Sequence, residues 1–404
     1  MSRALLFLII AAIVVNLVGA LGPELGFDAL WYHLTIPKLY LLAGKIYHIP
    51  GGLLYYSEMP RLSEILYMFI PPHLLSWGAG IGTAIVTYKL ARKYLSSTFA
   101  LLASAIFYVT PLVSWQSGSA YIDLFRTLFE VLALYLVLSK KSLLAGLVIG
   151  LAISTKTLAL GSIIPLTVLI FLTTKNLRTC LLSAVCCLLV ALPWFLSAYL
   201  NTGYPFYPIG AGILDSRHVL NLDLWNLPKV FGEFWKLFVT GEDPISPIYF
   251  IVLPFFIPIL RNKKFIGLLV YWFIGLLLWY VSPRTGGGRF ILPYLPAFAI
   301  LVSAIATKYR FLLAASLAIL FINLGYRSVA TARLIPYLTG RESKTAYLCR
   351  NLDLKVTYVN CNSFHPPAGE LTMVKGYHNL YYIDFPFVHE SWYRGERYNN
   401  IIQP

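Results

Sequence analysis

The chain has 404 residues, of which 58% are hydrophobic and only 12% charged, with a net charge of +15. Soluble domains carry about 25% charged residues, and the apolar residues here come in long blocks, which excludes a soluble enzyme and makes most of the chain one polytopic all-α membrane bundle. The positive charge is no nucleic-acid footprint: thirteen Lys and Arg sit in short connectors between apolar blocks, whereas none of the seventeen Asp and Glu does, which is the positive-inside pattern.

The first block, Ala4–Leu21, lacks an A-x-A-type cleavage site and is followed by many more spans, so it reads as an uncleaved first helix. Directly after it comes Gly26–Tyr40, GFDALWYHLTIPKLY. Asp28 there is either the N-cap of an interfacial helix starting near Ala29 or a general base or metal ligand. On such a helix Asp28, Tyr32 and Leu39 share one face. Trp31, Tyr32 and Tyr40 also suit an aromatic belt, and His33 suits a surface position as well as a substrate contact. Pro60–Pro72 reads as a short interfacial helix.

Placing the basic connectors inside gives about eleven spans: 4–21, 74–92, 97–115, 119–138, 142–156, 158–174, 178–198, 246–260, 265–282, 289–306 and 309–326. The N-terminus is then cytoplasmic and the C-terminus extracytoplasmic. Residues 1–326 form the membrane domain, with external loops 22–73 and 199–245, and 327–404 form a small external α+β region. Strand-like runs in that region are Lys355–Asn360 and Leu380–Phe385. Cys349 and Cys361 can pair if it lies outside the cytosol. Cys180, Cys186 and Cys187 read as packing residues in an apolar helix.

Four further stretches carry chemistry. Tyr121–Glu130, YIDLFRTLFE, opens the fourth span with Asp123, Arg126 and Glu130 on one face. Glu130 lies about 10 Å deeper than Asp123, and charges inside a span face a bundle interior or a water-filled cavity. Lys156 sits among Ser154, Thr155 and Thr157 at an outer turn; it either snorkels or holds an anion. Pro283–Phe290, PRTGGGRF, sets Arg284 and Arg289 around three glycines, a turn suited to phosphate or simply a flexible one. Asn201–Pro208, NTGYPFYP, is a rigid aromatic turn; Asp215, Arg217 and His218 beyond it are polar without a decisive spacing.

Under this topology the acids Asp28 and Asp123 and the cations Arg126, Lys156, Arg284 and Arg289 all fall on the outer face. Acids to deprotonate a hydroxyl and cations to hold a phosphate suit group transfer from a lipid phosphate.

FDALWYHLTIPKLY, together with AYIDLFRTLFE, TGYPFYP, GRFILPYLP at 288–296 and TGRESKTAYL at 339–348, resembles GT-C-type membrane glycosyltransferases, in the branch of the protein O-mannosyltransferases and aminoarabinose transferases. The resemblance implies an inverting transfer of a sugar from a polyprenyl-phosphate donor to a protein, lipid or glycan acceptor at the outer face of a plasma or inner membrane. It implies Asp28 as catalytic base, Asp123 as an acceptor or metal contact and Arg289 as a donor-phosphate contact. Tyr32, His33, Arg126, Lys156 and Arg284 are expected to line the substrate site, and Asp28 and Asp123 are the candidates for a divalent metal. The chain departs from the pattern in having a single acid at 28 where many relatives carry an Asp-Glu pair. A transporter or flippase of lipid-linked saccharides explains intramembrane charge equally well, although no internal repeat is visible. A non-catalytic assembly subunit is the third reading.

Overall fold

The computed structural model of the chain describes residues 1–49, 51–209, 211, 226–240, 245–282, 284–364, 366–367 and 370–393. Asp215, Arg217, His218 and the Arg284 side chain lie outside what is described.

Helix α1 (Ser2–Ala20) is the first span. The expected regular helix from Asp28 is instead a single π-helical turn, Ala29–His33, which runs into α2 (Thr35–Ala43) and stops at Gly44 in the left-handed region, φ 64°. The π turn adds a residue to the first coil, so the simple i, i+4, i+11 face is lost. A short α3 (Leu62–Tyr67) stands where the interfacial helix was expected. Then come α4 (Pro72–Ala91), α5 (Ser97–Tyr108), α6 (Pro111–Gln116), α7 (Asp123–Val137) and α8 (Ser142–Thr155). The expected 97–115 span breaks before Pro111, which disfavours a helical residue ahead of it.

A 3-10 turn (Thr157–Ser162) leads into α9 (Ile163–Thr174), followed by α10 (Leu177–Thr202) and α11 (Leu227–Phe238). The expected 246–260 span is three short pieces, α12 (Pro247–Ile251), a 3-10 turn (Leu253–Phe255) and α13 (Ile257–Leu260), interrupted around Pro254 and Pro258. Helix α14 (Ile266–Val281) precedes 3-10 turns over Arg284–Tyr294, with Gly287 at φ 52° between them, and these feed α15 (Leu295–Ala306). Helix α16 (Arg310–Ala332) runs past the expected end at 326. Among the described residues, six stretches are long and apolar enough to cross a membrane on their own: Ser2–Ala20, Thr157–Thr174, Leu177–Thr202, Lys263–Val281, Gly287–Ala306 and Arg310–Ala332. The others are shorter or broken, or, like α4, long enough but less apolar. The fold is that of a mostly helical integral membrane protein, in which helices satisfy their own backbone groups within lipid.

Contacts sort the two ends of the bundle. At one end the basic connectors meet: Lys93 Nζ donates to Ser139 Oγ at 2.7 Å, Lys264 Nζ donates to the Tyr94 carbonyl at 2.6 Å, and Ser2 pairs with Thr98. At the other end lie the first loop, the start of α7, the end of α8 and the Arg284–Tyr294 turns.

The C-terminal region carries α17 (Ile335–Leu338), α18 (Lys344–Asn351) and two three-residue strands, β1 (Thr372–Val374) and β2 (Phe387–His389), paired in parallel. The strand-like runs at 355–360 and 380–385 are not strands; their one bridge is Thr357 to Asn379. Their apolar residues serve packing instead: Leu380, Ile383, Phe385, Phe387 and Val388 share a core with Tyr32, Ile36, Leu39 and Tyr40 of the first loop. Lys38 clamps the two regions by donating to the Tyr381 carbonyl at 2.9 Å and to that of Ile383. Cys349 and Cys361 form a disulfide, Cα to Cα 6.0 Å.

Candidate active site

The site is built on a tied-down loop. Glu24 Oε1 accepts the N–H groups of Leu25 (2.9 Å) and Gly26 (2.6 Å), and Oε2 accepts that of Ala120 at 2.5 Å. His73 Nε2 donates to the same Oε2 at 2.9 Å, while its Nδ1 faces the Ala20 carbonyl at 3.1 Å. Both ring nitrogens face acceptors, so both carry protons. Burial works to raise the Glu24 pKa, but the His73 hydrogen bond and charge and the N–H groups of Ala120 and Gly26 outweigh it, and the carboxyl sits below its ordinary value. Tyr382 of the C-terminal region donates to the Glu24 carbonyl at 2.8 Å. Gly26 presses on Tyr121: a Cβ there would stand 2.4 Å from the ring.

This anchoring sets Asp28. Its backbone N–H donates to Tyr121 Oη at 3.2 Å. Asp28 occupies the N-cap position of the π turn, yet its side chain makes no capping bond. Oδ2 accepts instead from Arg289 Nη1 at 2.6 Å, and Oδ1 has no hydrogen-bond partner among the described residues. The Arg289 guanidinium lies 5.0 Å from the Tyr121 ring centroid, a cation–π contact that holds its plane.

Beside this pair sits a second. Lys156 Nζ donates to Asp123 Oδ1 at 2.7 Å, with Asp123 1% and Lys156 18% exposed. Asp123 Oδ2 is buried without a partner. Asp123 also attracts Arg289, so the two pairs form one field of two carboxylates and two cations. The Lys156 ammonium lies 5.5 Å from the Phe290 ring.

One turn deeper, Arg126 Nε donates to Glu130 Oε1 at 2.5 Å, Glu130 Oε2 accepts from Ser162, and Ser162 pairs with Tyr294 Oη at 2.8 Å. Arg126 is 1% exposed. It was expected to line the substrate site; it lies in the packed interior, because its carboxylate partner is the deeper Glu130 on the same helix face rather than a ligand at the surface.

Tyr32 is buried and stacked on Tyr56, centroids 3.6 Å apart and planes 6° apart. Burial, then the Asp28 charge, push its pKa well up. His33 is not a surface histidine: it is fully buried, its Nδ1 is 2.7 Å from Glu64 Oε1, and its Nε2 has no partner. The expected residues Asp28, Asp123, Lys156 and Arg289 come together; Arg126 and His33 stand behind them. Asp28 and Asp123 each face a cation, and among the described residues no group of three His, Cys, Asp or Glu forms a metal site.

Sequence reasoning missed Glu24, His73, Tyr121 and Glu64. Glu24 and Tyr121 were within its reach, since one lies four residues before Asp28 and the other inside the AYIDLF stretch. His73 and Glu64 gave no spacing signal.

No family model matches the chain, and no curated protein matches it. Among solved structures, ArnT from Cupriavidus metallidurans bound to undecaprenyl phosphate is similar at a TM-score of 0.56 and 15% identity, over 84% of this chain and 66% of that one. The apo state of the same protein is similar at a TM-score of 0.56 and 16% identity, with the same coverage of 84% and 66%. This chain thus spans just under two thirds of the ArnT chain. At such identity the likeness is one of fold: the chain shares the polytopic membrane fold of this ArnT structure.

Proposed function

We propose that the chain is an inverting glycosyltransferase that moves a sugar from a polyprenyl-phosphate donor to a hydroxyl acceptor at the extracytoplasmic membrane face. The observation that carries this reading is the Asp28–Arg289 pair, 2.6 Å apart, beside Asp123–Lys156 at the end of the bundle away from the basic connectors. The fold adds support, since the ArnT structure was solved with undecaprenyl phosphate bound. The outward orientation is supported by the basic connectors at the opposite end and by the Cys349–Cys361 disulfide, a bond of oxidising compartments.

In this reading Asp28 Oδ1 takes the proton of the acceptor hydroxyl. The acceptor oxygen attacks the anomeric carbon from the face opposite the phosphate. The carbon–oxygen bond to phosphate breaks, and its electron pair leaves with the polyprenyl phosphate. Arg289, with its planar fork, and Lys156, as a point charge, stabilise that departing anion. Donor phosphate competes with Asp28 for Arg289, so donor binding frees the base where it is needed. Asp123 holds Lys156 in place, and the Arg126–Glu130 pair backs the start of α7.

Lipid extracts of cells with and without the gene test the reading by mass spectrometry. A polyprenyl-phosphate sugar should accumulate without the gene and clear on complementation with the wild-type chain but not with Asp28→Asn. An unchanged lipid-phosphate sugar pool overturns it.

A further inference from the structure

The C-terminal region contributes a residue to this centre that no motif pointed to. His378 packs edge-on against Trp31, centroids 4.2 Å apart at 75°, and lies 5.3 Å from the Phe27 ring. Phe27 and Trp31 flank Asp28 in sequence, and the Asp28 carboxylate acts electrostatically on the imidazole. His378 is half-buried. Its Nδ1 is buried with no partner, and its Nε2 makes no hydrogen bond among the described residues. A buried polar group left unsatisfied costs about 1–3 kcal/mol, and native chains rarely leave one without a reason. An unsatisfied imidazole beside a carboxylate with a free oxygen is placed for a ligand that carries hydroxyls.

The placement of His378 is built. Its N–H and that of Asn379 both donate to the Val356 carbonyl, at 2.8 and 2.9 Å. Asn379 Nδ2 donates to Thr357 Oγ1 at 2.9 Å. The Cys349–Cys361 disulfide closes the segment that contains Val356 and Thr357. Around it, Trp31, Tyr55 and Tyr56 form an aromatic wall: Tyr55 and Tyr56 stack at 4.3 Å, and Trp31 meets both rings edge-on. Aromatic side chains beside an imidazole, which in its neutral form has one donor and one acceptor nitrogen, match a sugar ring, which offers C–H groups and hydroxyls together. Arg289 packs over the Tyr121 ring and Lys156 over that of Phe290, neither of them a ring of this wall. The phosphate of the donor and the hydroxyl of the acceptor therefore have separate walls.

We propose that His378, presented by the C-terminal region, binds the hydroxyl-bearing acceptor, a saccharide, against the Phe27–Trp31–Tyr55–Tyr56 wall beside Asp28. The inference rests on the glycosyltransferase reading above and names its acceptor side.

The test uses the full-length protein in lipid nanodiscs, with undecaprenyl phosphate as the binding probe and a panel of labelled undecaprenyl-phosphoryl hexoses and pentoses as donors. Native membranes of a deletion strain supply the acceptor. His378→Ala should bind undecaprenyl phosphate within twofold of wild type, yet transfer sugar about tenfold more slowly at low membrane concentration, with a raised apparent KM for membranes. His378→Gln, which keeps a donor and an acceptor, should recover part of the loss. Cys349→Ser/Cys361→Ser should shift KM in the same direction. Transfer by His378→Ala within twofold of wild type overturns the proposal, as does parallel loss of undecaprenyl phosphate binding, which would put His378 on the donor side or in the fold. Wild type that neither binds undecaprenyl phosphate nor consumes any donor overturns the glycosyltransferase reading itself, and His378's acceptor role falls with it.

Discussion

Asp28 and Arg289, 261 positions apart in the chain, meet at 2.6 Å over the ring of Tyr121. One is the proposed base and the other the proposed phosphate contact, so each holds the other in place until a donor arrives. Asp28→Asn keeps the shape of the side chain and removes its basicity. Transfer should fall by about 10²–10⁴-fold, the usual contribution of a general base. Undecaprenyl phosphate binding should survive or tighten, since Arg289 loses its carboxylate competitor. Native-rate transfer by Asp28→Asn would remove the base assignment.

Lys156 and Asp123 should behave as a coupled pair. Lys156→Met leaves Asp123, 1% exposed, without its cation. Breaking a buried ion pair costs about 3–5 kcal/mol, and the low end applies because Lys156 keeps some solvent. Asp123→Asn/Lys156→Met should regain thermal stability without regaining transfer. A double mutant no more stable than Lys156→Met alone would show that the pair is not coupled.

Glu24 predicts an acid limit. Its folded pKa lies below the ordinary value of 4.5, so its contribution to stability is fully present above about pH 4.5 and is lost as pH falls through the folded value. Melting temperature followed from pH 6 down to pH 3 should drop for wild type. Glu24→Gln should start lower at neutral pH and show a flatter acid slope. Parallel curves would mean that Glu24 carries no linked proton.

The connector charges made the arrangement of this site readable but not its contacts. They put Asp28, Asp123, Lys156 and Arg289 at one end of the bundle before any contact was known. Helix spacing showed that Arg126 and Glu130 share a face. It could not show that Asp123 turns to Lys156, because that partner comes from the end of another helix. Glu24–His73 and His33–Glu64 were invisible for a related reason: each joins the stretch around Asp28 to a separate helix, α4 or α3, and no helical spacing links the two partners. The same holds for the C-terminal region, whose apolar runs looked like strands because packing against a loop also selects Leu, Ile and Phe.

Gly26 offers the sharpest test of how tightly the loop sets the base. A Cβ at this position would lie 2.4 Å from Tyr121 Cε2 and 3.0 Å from Glu24 Oε1. Neither neighbour gives way freely: Glu24 is fixed by Ala120 and His73, and Tyr121 carries both the Asp28 N–H and the Arg289 guanidinium. Gly26→Ala should therefore shift Tyr121 and disturb the Asp28–Arg289 geometry while touching no substrate group. A misplacement of about 1 Å costs about 10²-fold in rate. Transfer should fall on that scale with only a small change in melting temperature, because the methyl group lies in a loop and not in a membrane-spanning helix. Full activity in Gly26→Ala would mean that Tyr121 does not set the geometry of Asp28.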